Sequence, residues 1–186
     1  EEGDTIVMTG CRVENPMPSG ESWDGTIPRL YFLELQPFMH RWTFNLKTGA
    51  VHEERLDDVP TEFPRMNDDL LGQRSRYSYN PRIAPMETLL FDGLIKYDTD
   101  TGTTKHLSYG DDRFGSEAVF VPRPGASHED DGWIVTLVHD MDQDSSECVI
   151  YSAQDFTDEP LARILLPRRV PAGFHACWVD ERATQV

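Results

Sequence analysis

One histidine and two glutamates of this 186-residue chain stand out by their surroundings. Glu62 in Thr61-Glu-Phe-Pro64, Glu117 in Gly115-Ser-Glu-Ala-Val119 and His175 in Gly173-Phe-His-Ala176 each set a single ionisable side chain among small or apolar neighbours, at intervals of 55 and 58 residues. An imidazole with carboxylates nearby is the raw material of a metal centre. Imidazole nitrogen suits several transition metals, and carboxylates close to the ion lower the cost of burying its charge. A carboxylate that accepts the outer N–H of a bound imidazole also fixes its tautomer and ring orientation. On residue types alone the alternative stays open that both glutamates are solvated, as most glutamates are.

Competing chemistries are poorly represented. His40, His52, His106, His128 and His139 form no HxxxH or HxH pair, so no local metal clamp is expected among them. Cys11, Cys148 and Cys177 are widely spaced, contain no CxxC and lack a matched base, which argues against a disulfide framework, a thiolate zinc site and a cysteine nucleophile. Asp140-Met-Asp-Gln-Asp144 lacks the glycine and terminal glutamate of a calcium loop and reads as a solvated hairpin loop. Arg168-Arg169 reads as a surface pair.

The elements that must position Glu62, Glu117 and His175 are strands. No segment holds a period near 3.6, and strand-like runs bounded by turn residues are expected at Thr5–Val13, Arg29–Leu35, Met39–Leu46, Arg74–Tyr79, Leu94–Tyr97, Ala118–Pro122, Trp133–His139, Cys148–Ser152, Ala162–Leu166 and Phe174–Val179. A weak repeat aligns the hairpin around Gly49 with the one around Gly102, 53 residues on; a third pass turns through Asp155–Asp158 instead. After each hairpin comes one of the three polar centres. A period of this size with about four strands per unit fits propeller blades, whose innermost strands line a shared axis. The alternative is an all-β sandwich with accidental spacing. Three units do not close a ring, and the chain opens on Glu1 within a strand-like run, so further blades are expected before it.

Composition narrows the partners. With 38% hydrophobic residues the chain can bury a core, and a formal charge of -16 disfavours nucleic acid and anionic membrane surfaces. Membrane contact is not visible in this segment, no run approaches about 18 apolar residues, and a cytoplasmic location is expected.

Three longer stretches carry a resemblance: Thr61-Glu-Phe-Pro-Arg-Met-Asn67; Gly115-Ser-Glu-Ala-Val-Phe-Val-Pro-Arg-Pro-Gly125 followed by Glu129-Asp-Asp-Gly-Trp-Ile-Val135; and Leu166-Pro-Arg-Arg-Val-Pro-Ala-Gly-Phe-His-Ala176. In order and spacing they resemble the C-terminal portion of the carotenoid cleavage oxygenases. The resemblance implies that residues 1–186 are part, about three blades, of one all-β, seven-bladed β-propeller domain whose N-terminal blades are absent. It implies Fe(II) on the axis held by four histidines, of which His175 matches the last. Glu62 and Glu117 match carboxylates that hold ligand imidazoles, while the other histidines and the third carboxylate have no counterpart here. The implied reaction is oxidative cleavage of a C=C bond of a carotenoid, apocarotenoid or related conjugated molecule by O2, giving two carbonyl products. Phe63 and Phe174, beside Glu62 and His175, are candidates for lining an apolar substrate passage, with core packing the alternative. The runner-up function is a non-catalytic, propeller-derived binding or structural module.

Overall fold

Asn45 and Asp98 begin the same turn, and that equivalence organises the chain. In each case the side-chain oxygen accepts the amides two and three residues ahead, from Lys47 and Thr48 in one turn and from Asp100 and Thr101 in the other. The backbone carbonyl then accepts the amide of Gly49 or Gly102 at 2.8 Å. Both glycines have φ of 72°, the left-handed conformation that glycine adopts without steric cost. The expected hairpins are therefore present, closed by the chemistry the sequence displays.

The computed structural model describes residues 3–14, 36–86, 89–171 and 175–180. Eleven strands run through them: β1 Thr5–Val13, β2 Pro37–Asn45, β3 Val51–Pro60, β4 Tyr77–Ile83, β5 Phe91–Asp98, β6 Thr103–Ser108, β7 Arg113–Gly115, β8 Val119–Pro122, β9 Gly132–Asp140, β10 Ser145–Ser152 and β11 Ala162–Leu165. One 3-10 turn, Asp68–Leu70, is the only helical element among the described residues. No described helix is long and apolar enough to cross a membrane.

The strands pair antiparallel in three successive units. β1–β2–β3 form a sheet of their own; β4–β5–β6 form the second unit, and β8–β9–β10–β11 the third. β7 joins the second and third units by pairing with both β5 and β9. Residues 61–65 lie against β4 through the bridges Thr61↔Arg82 and Arg65↔Tyr79, which makes them a fourth, irregular strand of the second unit.

β5 explains how the units stack. Nearly every residue of it is buried, and its alternating side chains serve two cores. Leu94 enters the main cluster with Tyr79, Phe120, Ile134, Val138 and Tyr151, while Ile95 and Tyr97 meet Met39 of the first unit. A strand covered on both faces loses the polar alternation of an ordinary antiparallel edge. At Gly93 a Cβ would stand 2.1 Å from the Leu107 carbonyl oxygen, so the close approach of β5 and β6 demands glycine there. The outer strands β3 and β11 are exposed, and charges such as Glu53, Glu54 and Arg163 blunt these edges against further pairing.

Two strand expectations and one loop expectation need correction. β4 starts at Tyr77, not at Arg74; at that start the Glu129 carboxylate accepts the Arg76 and Tyr77 amides at 2.8–2.9 Å in place of a neighbouring strand. Residues 175–179 of the expected Phe174–Val179 strand carry no strand assignment; Phe174 and the expected Arg29–Leu35 strand lie outside the described residues. The Asp140–Asp144 loop is solvated only in part: Asp140 is buried, accepts the Gln143 amide and takes a 2.6 Å hydrogen bond from Arg113.

The second unit also carries an acid-sensitive link. Arg76 donates to both carboxylate oxygens of Asp98, at 2.8 and 2.6 Å, and this pairing holds the carboxyl well below its ordinary range, burial opposing and the Thr101 and Asp100 donors adding to it. With the folded value depressed, the stabilisation is complete above the unfolded value near 3.9 and is lost as pH falls below it toward the folded one. Asp98→Asn is therefore expected to melt lower than the wild type at pH 6, with the two curves converging below about pH 4. A melting difference that persists undiminished at pH 2–3 would contradict this.

Candidate metal-binding site

Glu117 lies in the break between β7 and β8, where residues 116–118 leave the ladder although the flanking strands both pair with β9. Its carboxylate is only 3% exposed. Oε2 accepts the Ala176 amide at 2.6 Å, and Oε1 stands 3.5 Å from His175 Nδ1. One buried carboxylate thus grips both the backbone and the ring of the His175 segment, some 59 residues away in sequence. The imidazole itself is 73% exposed. Arg65 approaches from the other side, Nη1 3.7 Å from the same Oε1, while its Nη2 donates to Asp68 Oδ2 at 3.0 Å.

Phe63 completes the surroundings of the imidazole. Its ring meets His175 edge to face at 5.0 Å and Phe91 at 5.6 Å. To aim there the residue takes φ of 49°, a conformation that costs a bulky side chain roughly 1–3 kcal/mol. The Glu62 carboxylate supports that backbone by accepting the Phe63 amide at 2.8 Å. Glu62 also approaches Cys11, whose thiol is pushed well up by burial first and by that carboxylate second, so Cys11 is an inert thiol.

A cavity of about 190 Å³ opens beside His175 and Glu117, with walls that include Leu90, Phe114, Leu137 and Val138. His139 and Arg169 also line it, and they contact one another: Arg169 Nε donates to His139 Nε2 at 3.4 Å, and His139 Nδ1 lies 3.2 Å from Ser146 Oγ. Arg168 and Arg169 are exposed, as the sequence suggests, and Arg169 pairs at 3.5 Å with Asp144, which is exposed as well.

Of the residues singled out from sequence, the structure brings Glu117, His175 and Phe63 into one cluster. Glu62 sits one residue from Phe63 at the equivalent break of the second unit, on the segment bridged to β4. Phe174 lies outside the described residues. Arg65 and the Ala176 amide were missed; the only signal for Arg65 is its place in the Glu62-Phe-Pro-Arg65 run.

Among the described residues no group of three or more His, Cys, Asp or Glu side chains could hold a metal ion. What they supply is a single imidazole whose Nδ1 faces a buried carboxylate. Such a donor pair fits a metal held by histidine nitrogen.

The profile of the family described as Retinal pigment epithelial membrane protein matches residues 1–180. Carotenoid 9,10(9',10')-cleavage dioxygenase 1 of Pisum sativum is 36% identical over 206 residues, covering 100% of this chain and 36% of its own length. A carotenoid cleavage oxygenase of Mycobacterium tuberculosis is 38% identical over 148 residues, covering 77% of the chain and 29% of its own length. The solved structure of cobalt-substituted Synechocystis apocarotenoid oxygenase superimposes with a TM-score of 0.81 at 28% identity, over 94% of this chain and 36% of that one. The chain therefore spans about a third of the length of the relatives it matches. The three strand units are part of a β-propeller, the fold of the solved neighbours. By its profile match and by relatives above 30% identity along its whole length, this chain belongs to the family of the Retinal pigment epithelial membrane protein and the carotenoid cleavage oxygenases.

Proposed function

We propose that this chain forms the C-terminal blades of a longer non-haem Fe(II) dioxygenase that cleaves a C=C bond of a carotenoid, apocarotenoid or related conjugated substrate. The observation that carries the reading is the buried Glu117 carboxylate 3.5 Å from Nδ1 of an accessible histidine. Each alkene carbon gains one oxygen atom of O2, so two carbonyl products form without an added reductant. Fe(II), when bound, supplies the redox chemistry that lets O2 react with the alkene.

The residues of this chain do the rest of their work by placement. Glu117 accepts the Nδ1–H of His175, fixing the tautomer that presents Nε2 to the metal. Its second oxygen, on the Ala176 amide, stops the His175 backbone from swinging away. Glu62, at the equivalent break of the neighbouring blade, would serve another imidazole in the same way. Phe63 packs against the His175 ring and keeps that side of it apolar, while the nearby cavity offers apolar wall to a polyene.

Metal analysis of the anaerobically purified intact protein is expected to give one iron per subunit, with O2 consumed only when a polyene or stilbene is added. Stoichiometric zinc, with no oxygenase activity after iron reconstitution, would instead favour a non-catalytic binding module.

A further inference from the structure

The electrostatics at Glu117 are unbalanced without one residue that the function above does not use. The carboxylate is buried, and from the His175 segment it meets a backbone amide at 2.6 Å and an imidazole nitrogen at 3.5 Å. A backbone amide satisfies a lone pair but carries no charge to balance a carboxylate, and an unpaired buried ion is strongly destabilising. Arg65 brings the opposite charge, its Nη1 3.7 Å from Oε1, the same oxygen that faces His175 Nδ1.

Resting on the metal-site reading above, we propose that Arg65 is a positioning residue of the metal centre, its guanidinium holding the Glu117 carboxylate aligned on His175 before the metal arrives. The placement of Arg65 is over-determined. Its amide donates to the Tyr79 carbonyl at 3.0 Å and its carbonyl accepts the Tyr79 amide at 2.7 Å, while Tyr79 is buried in the main core against Phe120 and Phe156. The guanidinium is held from beyond by Asp68, in a 3-10 turn capped by Asn67, which in turn donates to the Glu129 carbonyl at 3.2 Å. Arg65 is thus braced by the second blade and by the loop of the third, and it reaches Glu117 with little freedom.

A separation of 3.7 Å is a charge contact and not a hydrogen bond. The role therefore depends on the positive charge more than on the guanidinium fork, and lysine should largely replace it.

The test uses the intact protein loaded with Co(II), read by its visible absorption and by competition with a chelator. Arg65→Met is expected to weaken Co(II) binding about 10-fold, the lower end of what losing an outer partner of a ligand does. Arg65→Lys should recover most of that loss. In a Glu117→Gln background, where no charge remains to be balanced, Arg65→Met should add no more than roughly two-fold. Equal losses in both backgrounds, an unchanged affinity in Arg65→Met, or a lysine variant no better than methionine would each overturn the proposal. If His175→Ala and Glu117→Gln also leave Co(II) binding untouched, the metal-site reading itself fails; if they weaken it and Arg65→Met does not, only the role of Arg65 is lost.

Discussion

His175→Ala in the intact protein is expected to abolish retained iron and oxygenase activity together, because it deletes a metal bond. Glu117→Gln keeps the shape of the side chain and removes the charge that holds the imidazole, so metal affinity or activity should fall roughly 10- to 100-fold. The glutamine can still accept the Ala176 amide through its oxygen, which separates the loss of charge from the loss of backbone anchoring. Glu62→Gln should behave like Glu117→Gln, since the two glutamates occupy equivalent breaks of adjacent blades. His139→Ala, which borders the same cavity but faces Ser146 and Arg169, should cost modest stability and leave iron stoichiometry unchanged. Iron measured after purification decides it: if iron survives His175→Ala and disappears with His139→Ala, the assignment of the ligand is wrong.

Lys96→Met should destabilise the fold by about 3–5 kcal/mol, the range for breaking a buried ion pair by removing one partner. The Lys96 side chain is 6% exposed, and its Nζ donates at 2.7 Å to both Asp130 Oδ2 and the Ala153 carbonyl while lying 4.3 Å from the centre of the Tyr77 ring. Burial pulls the ammonium below its ordinary value, and the hydrogen bond and charge of Asp130 oppose that shift. Methionine matches the volume of lysine but leaves the partly buried Asp130 facing no cation there and the Ala153 carbonyl without its donor. Urea unfolding measures the loss, and Asp130→Asn in the Lys96→Met background should recover part of it. A loss below about 1 kcal/mol would mean that the pair is no stronger than a surface salt bridge.

What could be read from sequence follows the range of the interactions. The turns at Asn45–Gly49 and Asp98–Gly102 are local chemistry, visible in a few residues, and their hairpins came out in register. β7 is three residues long, with no periodicity to betray it; pairing with β5 and β9 creates it. Lys96 stands in a run, Leu94-Ile-Lys-Tyr97, that suggests a solvated position. Only the neighbouring blade, which supplies Asp130 and the Ala153 carbonyl, makes burial of its charge tolerable. The start of β4 moved for the same reason, since the Glu129 side chain that takes its amides is more than 50 residues away. At the candidate site the motifs marked His175 and Glu117, which the structure brings together, whereas nothing marked Arg65, which also approaches Glu117. Nothing in Glu62-Phe-Pro-Arg65 indicates that its arginine would serve the other glutamate, Glu117, and leave the nearer Glu62 alone.

The backbone at Phe63 sets two preferences against each other. With φ of 49° the main chain alone would select glycine, or asparagine after it, whereas the edge of the His175 ring alone would select an aromatic. No side chain meets both demands. Glycine would relax the turn and leave the imidazole unsupported; a β-branched residue would be wrong for each. The range of residues tolerated at this position should therefore be narrower than its partial burial suggests, restricted to planar rings that accept a strained main chain. Sequence drift around it would have to be absorbed elsewhere, for instance at Phe91, where the same ring finds its second neighbour on an ordinary extended strand.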